Sequence, residues 1–181
     1  QIVDVATGTK PLAQGEHGEI RARGPQIMRG YRNLPDETAQ TLRDGWLYTG
    51  DIGWFDADGY LYISDRKKEM LIVGGYNVYP REVEEVLYMH PAVLDAAVVA
   101  VKEDYRGELP VAFVALKPGA AADEAALVAH CNANLARYKV PWRIVILPAL
   151  PKTSVTKTDK QRLRAEAASL NVGAPAPPAP R

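Results

Sequence analysis

The sequence has no excess of either charge, since Lys and Arg total 22 and Asp and Glu also total 22 in 181 residues. A chain without net charge has no overall field to attract nucleic acid or an anionic membrane surface. Its basic residues are interspersed with acidic ones, and no nucleic-acid-binding motif is present. The composition therefore argues against a nucleic-acid partner.

Cysteine is also scarce, and the single Cys131 excludes an internal disulfide and a cysteine-based zinc site. Cys131 lies in an apolar helical pattern, and no arrangement of histidine and asparagine typical of thiol catalysis accompanies it, so we expect it to pack in a core. The acids Asp56 and Asp58 lack the further ligands of a calcium loop. We predict no metal site among the residues of this chain.

Long hydrophobic runs are missing too. No apolar run approaches the roughly 20 residues of a transmembrane helix, and no signal peptide opens the chain. These features, with the single cysteine, predict a cytoplasmic location and leave a peripheral membrane association open. Residues 2–5 alternate like a strand with no methionine or turn before them. We interpret the sequence as a C-terminal piece of a longer protein.

The first part of the chain, residues 1–64, consists of short strand-like runs separated by polar turns, which is typical of β-rich structure. We predict strands over residues 2–5 and 19–23 and a short helix over residues 35–42, where acidic residues stand near the start. Residues 56–59, with the sequence DADG, predict a hairpin turn between aromatic strands.

The next stretch has the pattern of a joint between two parts of a protein. Residues 70–73 form an apolar run too short for a helix and rich enough in branched residues for a strand. Gly74 and Gly75 can adopt positive φ and admit the close approach of a ligand or another backbone. Pro80 is favourable in a first helical turn, and the apolar residues after it share one face. We therefore expect a helix that lies against a sheet.

The remaining chain alternates strands and helices, which predicts an α/β lobe and, with the β-rich part, an α+β fold class overall. The apolar runs at 96–101 and 111–116 are continuous, which indicates strands buried on both faces or a sheet covered by helices. A helix from Asp123 to Arg137, a strand over 143–147 and a helix over 159–170 follow.

Five strings occur along the chain in a fixed order: GEIRARGPQIMRGYRN (18–33), WLYTGDIG (46–53), DRKKEMLIVGGYNVYPREVEEVL (65–87), LARYKVP (135–141) and LPKTSVTK (150–157). Together they resemble the motifs of the acyl-adenylate-forming enzymes, the superfamily of acyl-CoA synthetases, peptide-synthetase adenylation domains and luciferases. The sequence GGYNVYPREVE within the third string is similar to the sequences of the fatty acyl-CoA ligase branch.

The resemblance implies a domain boundary at Asp65. Residues 1–64 are then the C-terminal part of a large AMP-binding domain, and residues 65–170 form the small mobile C-terminal domain of this enzyme family. Residues 171–181, which are rich in proline and alanine, are expected to be a disordered tail.

Site residues follow from the same resemblance. Asp51 of the YTGD motif would accept hydrogen bonds from the ribose hydroxyls of ATP or acyl-AMP, a role that suits an acceptor-only carboxylate. Arg66 would reach the ribose or phosphate region, and Lys157 would be the catalytic residue of adenylation. Asp65 would be the hinge pivot. Thr156 stands where the family usually has glycine, which is expected to stiffen the lysine loop.

The implied cofactors and substrates are ATP, coenzyme A, Mg²⁺ and a carboxylic acid. Gly74 and Gly75 would pass beside the pantetheine of coenzyme A. The phosphate loop, magnesium ligands and acyl pocket of the family lie N-terminal to this sequence. The missing N-terminal domain is therefore an expected partner, and the chain alone is expected to be inactive.

Two alternatives stay open from the residues. One is a non-catalytic module that binds a nucleotide or another protein. The other is a ligase for an aryl or short-chain acid, because only the wording of residues 73–80 favours a long- or medium-chain fatty acid.

Overall fold

The computed structural model describes residues 1–170. The chain divides into two compact units, one from Gln1 to Lys68 and a second that begins at Glu69. The fold is mixed, with strands and helices in both units, as the α+β expectation required. The predicted tail at residues 171–181 lies outside the described residues.

The first unit is an antiparallel sheet with one short helix. Its elements are β1 (Ile2–Val3), β2 (Gly18–Ala22), α1 (Pro35–Thr41), β3 (Leu42–Arg43), β4 (Trp46–Phe55) and β5 (Leu61–Arg66). The strand order is β1-β2-β4-β3, and β5 also pairs with the long strand β4. A 3₁₀ turn, Lys67–Glu69, follows β5 and contains the division between the units.

Local signals explain most of these elements. The Asp56–Gly59 turn is confirmed: the Asp56 carboxylate accepts hydrogen bonds from the backbone N–H of Asp58 at 3.0 Å and of Tyr60 at 2.8 Å. The first strand is shorter than predicted. It ends before Asp4, because the Asp4 carboxylate accepts from the backbone N–H of Thr7 at 2.8 Å and starts a turn.

Within residues 69–170, the second unit contains a five-stranded sheet and three α-helices. Its elements are β6 (Leu71–Val73), β7 (Tyr76–Val78), α2 (Pro80–Met89), β8 (Val93–Glu103), β9 (Gly107–Leu116), α3 (Glu124–Asn134), a 3₁₀ turn (Arg137–Lys139), β10 (Arg143–Leu147) and α4 (Lys160–Ser169). The sheet has the order β10-β9-β6-β7, with β8 antiparallel to β9 and β10 parallel to it.

The sheet of the second unit is covered on both faces, which explains the continuous apolar runs in β8 and β9. Ala96 and Val98 belong to one core cluster with residues of α2 and α3. Ala97 and Val99 belong to a second cluster with Leu163 of α4. Successive residues of a strand point to opposite faces, so the run from Ala96 to Val99 is buried on both faces of the sheet.

Helix α3 supplies Cys131 to the first of these clusters, and the thiol is fully buried. Burial raises the pKa of Cys131 to about 11, so the thiol is protonated at neutral pH and its packing role is confirmed. The helix begins as predicted, with the Asp123 carboxylate accepting from the backbone N–H of Ala126. It ends at Asn134 rather than Arg137, because Leu135 adopts an extended conformation.

Candidate functional site

Asp51 and Arg66 lie opposite each other on β4 and β5. The Nε of Arg66 is 3.3 Å from Oδ1 of Asp51, and the Asp51 side chain is 28% exposed. The two predicted nucleotide-contacting residues of the first unit are thus brought together. One contact leaves most of the acceptor capacity of a carboxylate free for other hydrogen bonds.

The YTGD motif owes its shape to the two residues before Asp51. The Thr49 hydroxyl donates to the carbonyl of Ile20 on β2 at 2.9 Å and accepts from the backbone N–H of Asp51 at 3.1 Å. Gly50 has φ of +72°, and no atom lies within 4 Å of the position that a Cβ would occupy. Backbone conformation rather than crowding therefore favours glycine here.

A cavity of about 640 Å³ opens beside this motif within the first unit. Its lining includes Thr49, Gly50, Arg43, Glu19 and Lys67. The guanidinium of Arg43 lies over the ring of Tyr48, 3.6 Å from the centroid. The region next to Asp51 is therefore concave and carries cationic side chains, which suits an anionic ligand.

Glu19 and Lys67 form an ion pair that sequence reasoning missed. Lys67 Nζ lies 2.7 Å from Oε2 of Glu19, whose side chain is only 4% exposed. A buried carboxylate requires such a partner. The only available signal was the position of Glu19 in a strand-like run, and that pattern does not identify a partner 48 residues away.

Asp65, the predicted pivot, lies inside β5 and pairs with Ile52 of β4. Its carboxylate accepts from the backbone N–H of Arg66 at 2.7 Å. The division between the compact units falls after Lys68, three residues further on. The role of Asp65 as the hinge stays a prediction.

Gly74 and Gly75 form a two-residue hairpin loop between β6 and β7, in which Val73 pairs with Tyr76. Their φ values are +57° and +87°. At neither glycine does an atom lie within 4 Å of the position that a Cβ would occupy. Two consecutive positive φ values define the tight turn that such a hairpin needs. The structure confirms both the positive φ and the open space expected from the sequence.

The LARYKVP segment packs against this hairpin within the second unit. The rings of Tyr76 and Tyr138 are stacked with centroids 4.6 Å apart. Lys139 Nζ donates to Oε2 of Glu82 at 2.8 Å, at the start of α2. Sequence reasoning gave this segment no defined contact; the structure shows that it supports the glycine hairpin and the helix after it.

Lys157 is exposed and stands in a tight turn between β10 and α4. The backbone N–H of Thr153 donates to the carbonyl of Lys157 at 2.7 Å, and the N–H of Thr156 donates to the carbonyl of Thr153 at 2.9 Å. Within residues 1–170, no ion pair involves the Lys157 ammonium. The turn therefore presents a cation to solvent.

Thr156, next to this lysine, has φ of +62°. A residue with a branched Cβ is strained in the left-handed region, by about 1–3 kcal/mol. The position at which the sequence departs from the usual glycine is thus one where the backbone adopts a conformation suited to glycine.

The base of the lysine turn is anchored to β8 and α2. Lys152 is ion-paired with Asp95, and its Nζ also lies 3.0 Å from the Thr158 hydroxyl. The Tyr88 hydroxyl donates to the other oxygen of Asp95 at 2.8 Å. Burial raises the pKa of Asp95, but the hydrogen bonds from Lys152 and Tyr88 outweigh it, and the pKa lies below its usual range.

Residues 1–170 contain no group of three or more His, Cys, Asp or Glu side chains placed to hold a metal ion. In this range no helix is long and apolar enough to cross a membrane.

Part of the second unit matches a known protein family. Residues 82–157 match the family described as the AMP-binding enzyme C-terminal domain. This match begins in α2 and ends at Lys157, so it contains the LARYKVP segment and the lysine turn. The chain belongs to the acyl-adenylate-forming superfamily.

Individual relatives are similar over most of this chain. A long-chain-fatty-acid–CoA ligase of Bacillus subtilis is 54% identical over 83% of this chain. A 2-succinylbenzoate–CoA ligase of Geobacillus kaustophilus is 49% identical over 86% of this chain. The crystal structure of ATP-bound MatB from Rhodopseudomonas palustris matches 93% of this chain with a TM-score of 0.85 and 35% identity. The chain spans 27%, 32% and 33% of these three proteins respectively.

Proposed function

We propose that this chain is part of an ATP-dependent acid–thiol ligase. Such an enzyme joins a carboxylate to ATP, giving an acyl-adenylate and pyrophosphate, and then transfers the acyl group to the thiol of coenzyme A. The observation that carries the proposal is that Lys157 is exposed on a tight turn and forms no ion pair within residues 1–170, at the end of a segment that matches the AMP-binding family.

Lys157 and Asp51 have separate tasks in the first half-reaction. An oxygen of the substrate carboxylate attacks the α-phosphorus of ATP, and the bond to pyrophosphate breaks. The Lys157 ammonium stabilises negative charge on the reacting groups, which repel each other without it. Asp51 accepts hydrogen bonds from the ribose hydroxyls, and Arg66, whose side chain is 63% exposed, is free to turn towards a phosphate.

The second half-reaction uses the other face of the small domain. The thiol gives its proton to solvent, its sulfur attacks the acyl carbonyl of the adenylate, and AMP leaves with the electron pair of the acyl–oxygen bond. The open surface around Gly74 and Gly75 leaves room for the pantetheine chain beside the backbone. A bound Mg²⁺ would mask the charge of the phosphates, and its ligands would lie outside residues 1–170.

Alternation between the two half-reactions requires the small domain to rotate. We assign the pivot to the segment from Asp65 to Glu69. Asp65 is hydrogen-bonded within β5, so the backbone changes would fall in the 3₁₀ turn that follows it. Asp65 then fixes the start of the hinge.

The substrate we propose is a long- or medium-chain fatty acid, used in the cytoplasm. The sequence of residues 73–80 supports this proposal, as does the similarity to a long-chain-fatty-acid–CoA ligase. An aryl or short-chain acid is the alternative, because a 2-succinylbenzoate–CoA ligase is similar to almost the same extent.

The strained Thr156 favours one competing function, a nucleotide-binding module without turnover. Threonine has fewer accessible backbone conformations than glycine, so the turn is less able to make the rearrangement that delivers Lys157 to ATP. This alternative predicts nucleotide binding without carboxylate-dependent exchange of pyrophosphate.

The experiment compares wild type with Lys157→Ala in the full-length protein that contains this chain. We expect the substitution to lower carboxylate-dependent pyrophosphate exchange about 10²–10³-fold, the usual effect of removing a group that stabilises transition-state charge. Formation of acyl-CoA from a supplied acyl-adenylate should change little. Lys102→Ala, at an exposed position on β8, is the matched control. Equal loss of both activities, or loss of neither, contradicts the assignment of Lys157.

A further inference from the structure

A partly buried charge cluster lies at the start of α4 and takes no part in the reaction described above. Lys160 Nζ is 2.9 Å from Oε2 of Glu69 and 2.9 Å from Oε1 of Glu84. The side chains of Lys160, Glu69 and Glu84 are 21%, 24% and 15% exposed. One lysine therefore joins two carboxylates that are largely withdrawn from solvent.

The cluster connects Glu69, the first residue of the second unit, with α2, β8 and α4 of the same unit. Glu69 ends the 3₁₀ turn at the hinge, and Glu84 lies on α2. The same Oε1 of Glu84 accepts from the backbone N–H of Val98 on β8 at 2.8 Å. The ammonium of Lys160 is thus bound to Glu69 of the 3₁₀ turn and to Glu84 of α2, and Glu84 in turn is bound to β8.

Lys160 remains charged in this environment. Burial alone lowers the pKa of a lysine, but the carboxylates of Glu84 and Glu69 outweigh it, and the pKa of Lys160 lies above its usual range. Without the ammonium, the carboxylates of Glu84 and Glu69 would both lose their ion pair with Lys160. The cluster is therefore held together by Lys160 rather than by either acid.

Lys160 lies three residues after Lys157. The intervening Asp159 donates its backbone N–H to the carbonyl of Pro151 at 2.8 Å and caps α4 through its side chain. Further along α4, Leu163 and Ala167 are fully buried. Anchoring of Lys160 consequently restrains the lysine turn at its C-terminal end.

We propose that Lys160 is a positioning residue for Lys157. Its two ion pairs hold the start of α4 to Glu69 and Glu84, so that a rotation about the hinge carries the lysine turn with it as one body. Lys160 touches no substrate in this role. The inference rests on the proposed ligase function, because it concerns delivery of Lys157 to ATP.

The test measures both half-reactions in the full-length protein with Lys160→Met and Lys160→Arg. Methionine retains the length of the side chain and removes the charge, whereas arginine can still bridge two carboxylates. We expect Lys160→Met to lower the maximal rate of adenylation about 10–100-fold, as misplacement of a reacting group by about 1 Å does. The KM for ATP and acyl transfer from a supplied acyl-adenylate should change less than about threefold, and Lys160→Arg should restore adenylation.

Arg143→Met is the matched control, since Arg143 forms an ion pair with Glu124 of α3 elsewhere in the unit, at 3.4 Å. It should leave both half-reactions unchanged. A Lys160→Met variant that adenylates like wild type overturns the proposal, as does an equal loss of both half-reactions that arginine fails to restore. A wild type without carboxylate-dependent exchange instead contradicts the proposed ligase function.

Hydrogen exchange supplies a readout that does not depend on activity. In Lys160→Met we expect faster amide exchange in residues 151–159, with unchanged exchange in β9. If Lys160→Met fails to fold, Glu69→Gln takes its place in the experiment. This substitution removes one ion pair and leaves Lys160 bound to Glu84, so amide exchange in residues 151–159 should be faster, but less so than expected for Lys160→Met. Unchanged exchange in residues 151–159 of Glu69→Gln overturns the proposal in that case.

Discussion

Asp51 and Arg66 are cross-strand partners, with Nε of Arg66 3.3 Å from Oδ1 of Asp51. They stand 15 residues apart in the sequence and meet because the Asp56–Gly59 turn folds β5 back onto β4. The ion pair orients a carboxylate beside a concave surface that also holds Arg43 and Lys67. Such an arrangement suits the ribose and phosphate groups of a nucleotide in the proposed reaction.

Thr156→Gly should stabilise the protein. Thr156 has φ of +62°, and release of this strain gains about 1–3 kcal/mol, offset by roughly 0.4–1 kcal/mol for the greater freedom of glycine in the unfolded chain. We expect a net gain of about 1 kcal/mol in the free energy of unfolding, measured by urea denaturation. Thr156→Ala retains the strain and should give no comparable gain. A less stable Thr156→Gly would contradict the interpretation of this turn.

Gly75→Ala should destabilise the hairpin, because φ of +87° places an alanine in a region that costs about 1–2 kcal/mol. We also expect a selective loss of acyl transfer to coenzyme A, with adenylation largely retained. The control is Gly59→Ala, at a hairpin turn of the first unit where φ is +84°. It should cost similar stability and leave acyl transfer unchanged. The same loss of acyl transfer in both variants would show that hairpin strain alone accounts for it.

The Asp95 anchor should contribute stability that depends on pH. The pKa of Asp95 in the folded state lies below its usual range, so its contribution is present above the unfolded value, about 3.9. It is lost as pH falls through the folded value. We expect wild type to exceed Asp95→Asn in Tm by a constant amount at pH 6–8, and the difference to shrink below about pH 4. A difference that grows on acidification would reverse the sign and contradict the account.

Lys67→Met should destabilise the first unit, because it leaves the buried Glu19 carboxylate without its cation. We expect a loss of about 1–3 kcal/mol in the free energy of unfolding, the cost of an unsatisfied buried group. Adding Glu19→Gln should recover part of it, because the uncompensated charge is then removed. Chemical denaturation of the two single variants and the double variant measures the coupling. Additive effects would show that the ion pair contributes nothing.

Local features of the fold could be predicted from the sequence. Pro80 begins α2, Asp123 caps α3, and Gly74 and Gly75 have positive φ, because each depends on the conformational preferences of a few adjacent residues. The continuous apolar run of β8 also correctly predicted a sheet covered on both faces. These elements follow from periodicity and capping alone.

Pairings between distant residues were beyond sequence reasoning. Lys160 and Glu69 are 91 residues apart, and Glu19 and Lys67 are 48 residues apart. A charged residue that forms a buried pair has the same local sequence pattern as one that faces solvent. The candidate site was predicted as separate motifs, and the ion pairs that anchor them required the fold.

The most direct test of the account is detection of the acyl-adenylate itself. The full-length protein that contains this chain is incubated with hexadecanoate, ATP and Mg²⁺ in the absence of coenzyme A, and the adenylate is quantified by mass spectrometry. We expect wild type to accumulate the acyl-adenylate and Lys157→Ala to form it at least about 100-fold more slowly. Equal formation by both proteins, or no adenylate in wild type with hexadecanoate or with a panel of aryl and short-chain acids, would contradict it.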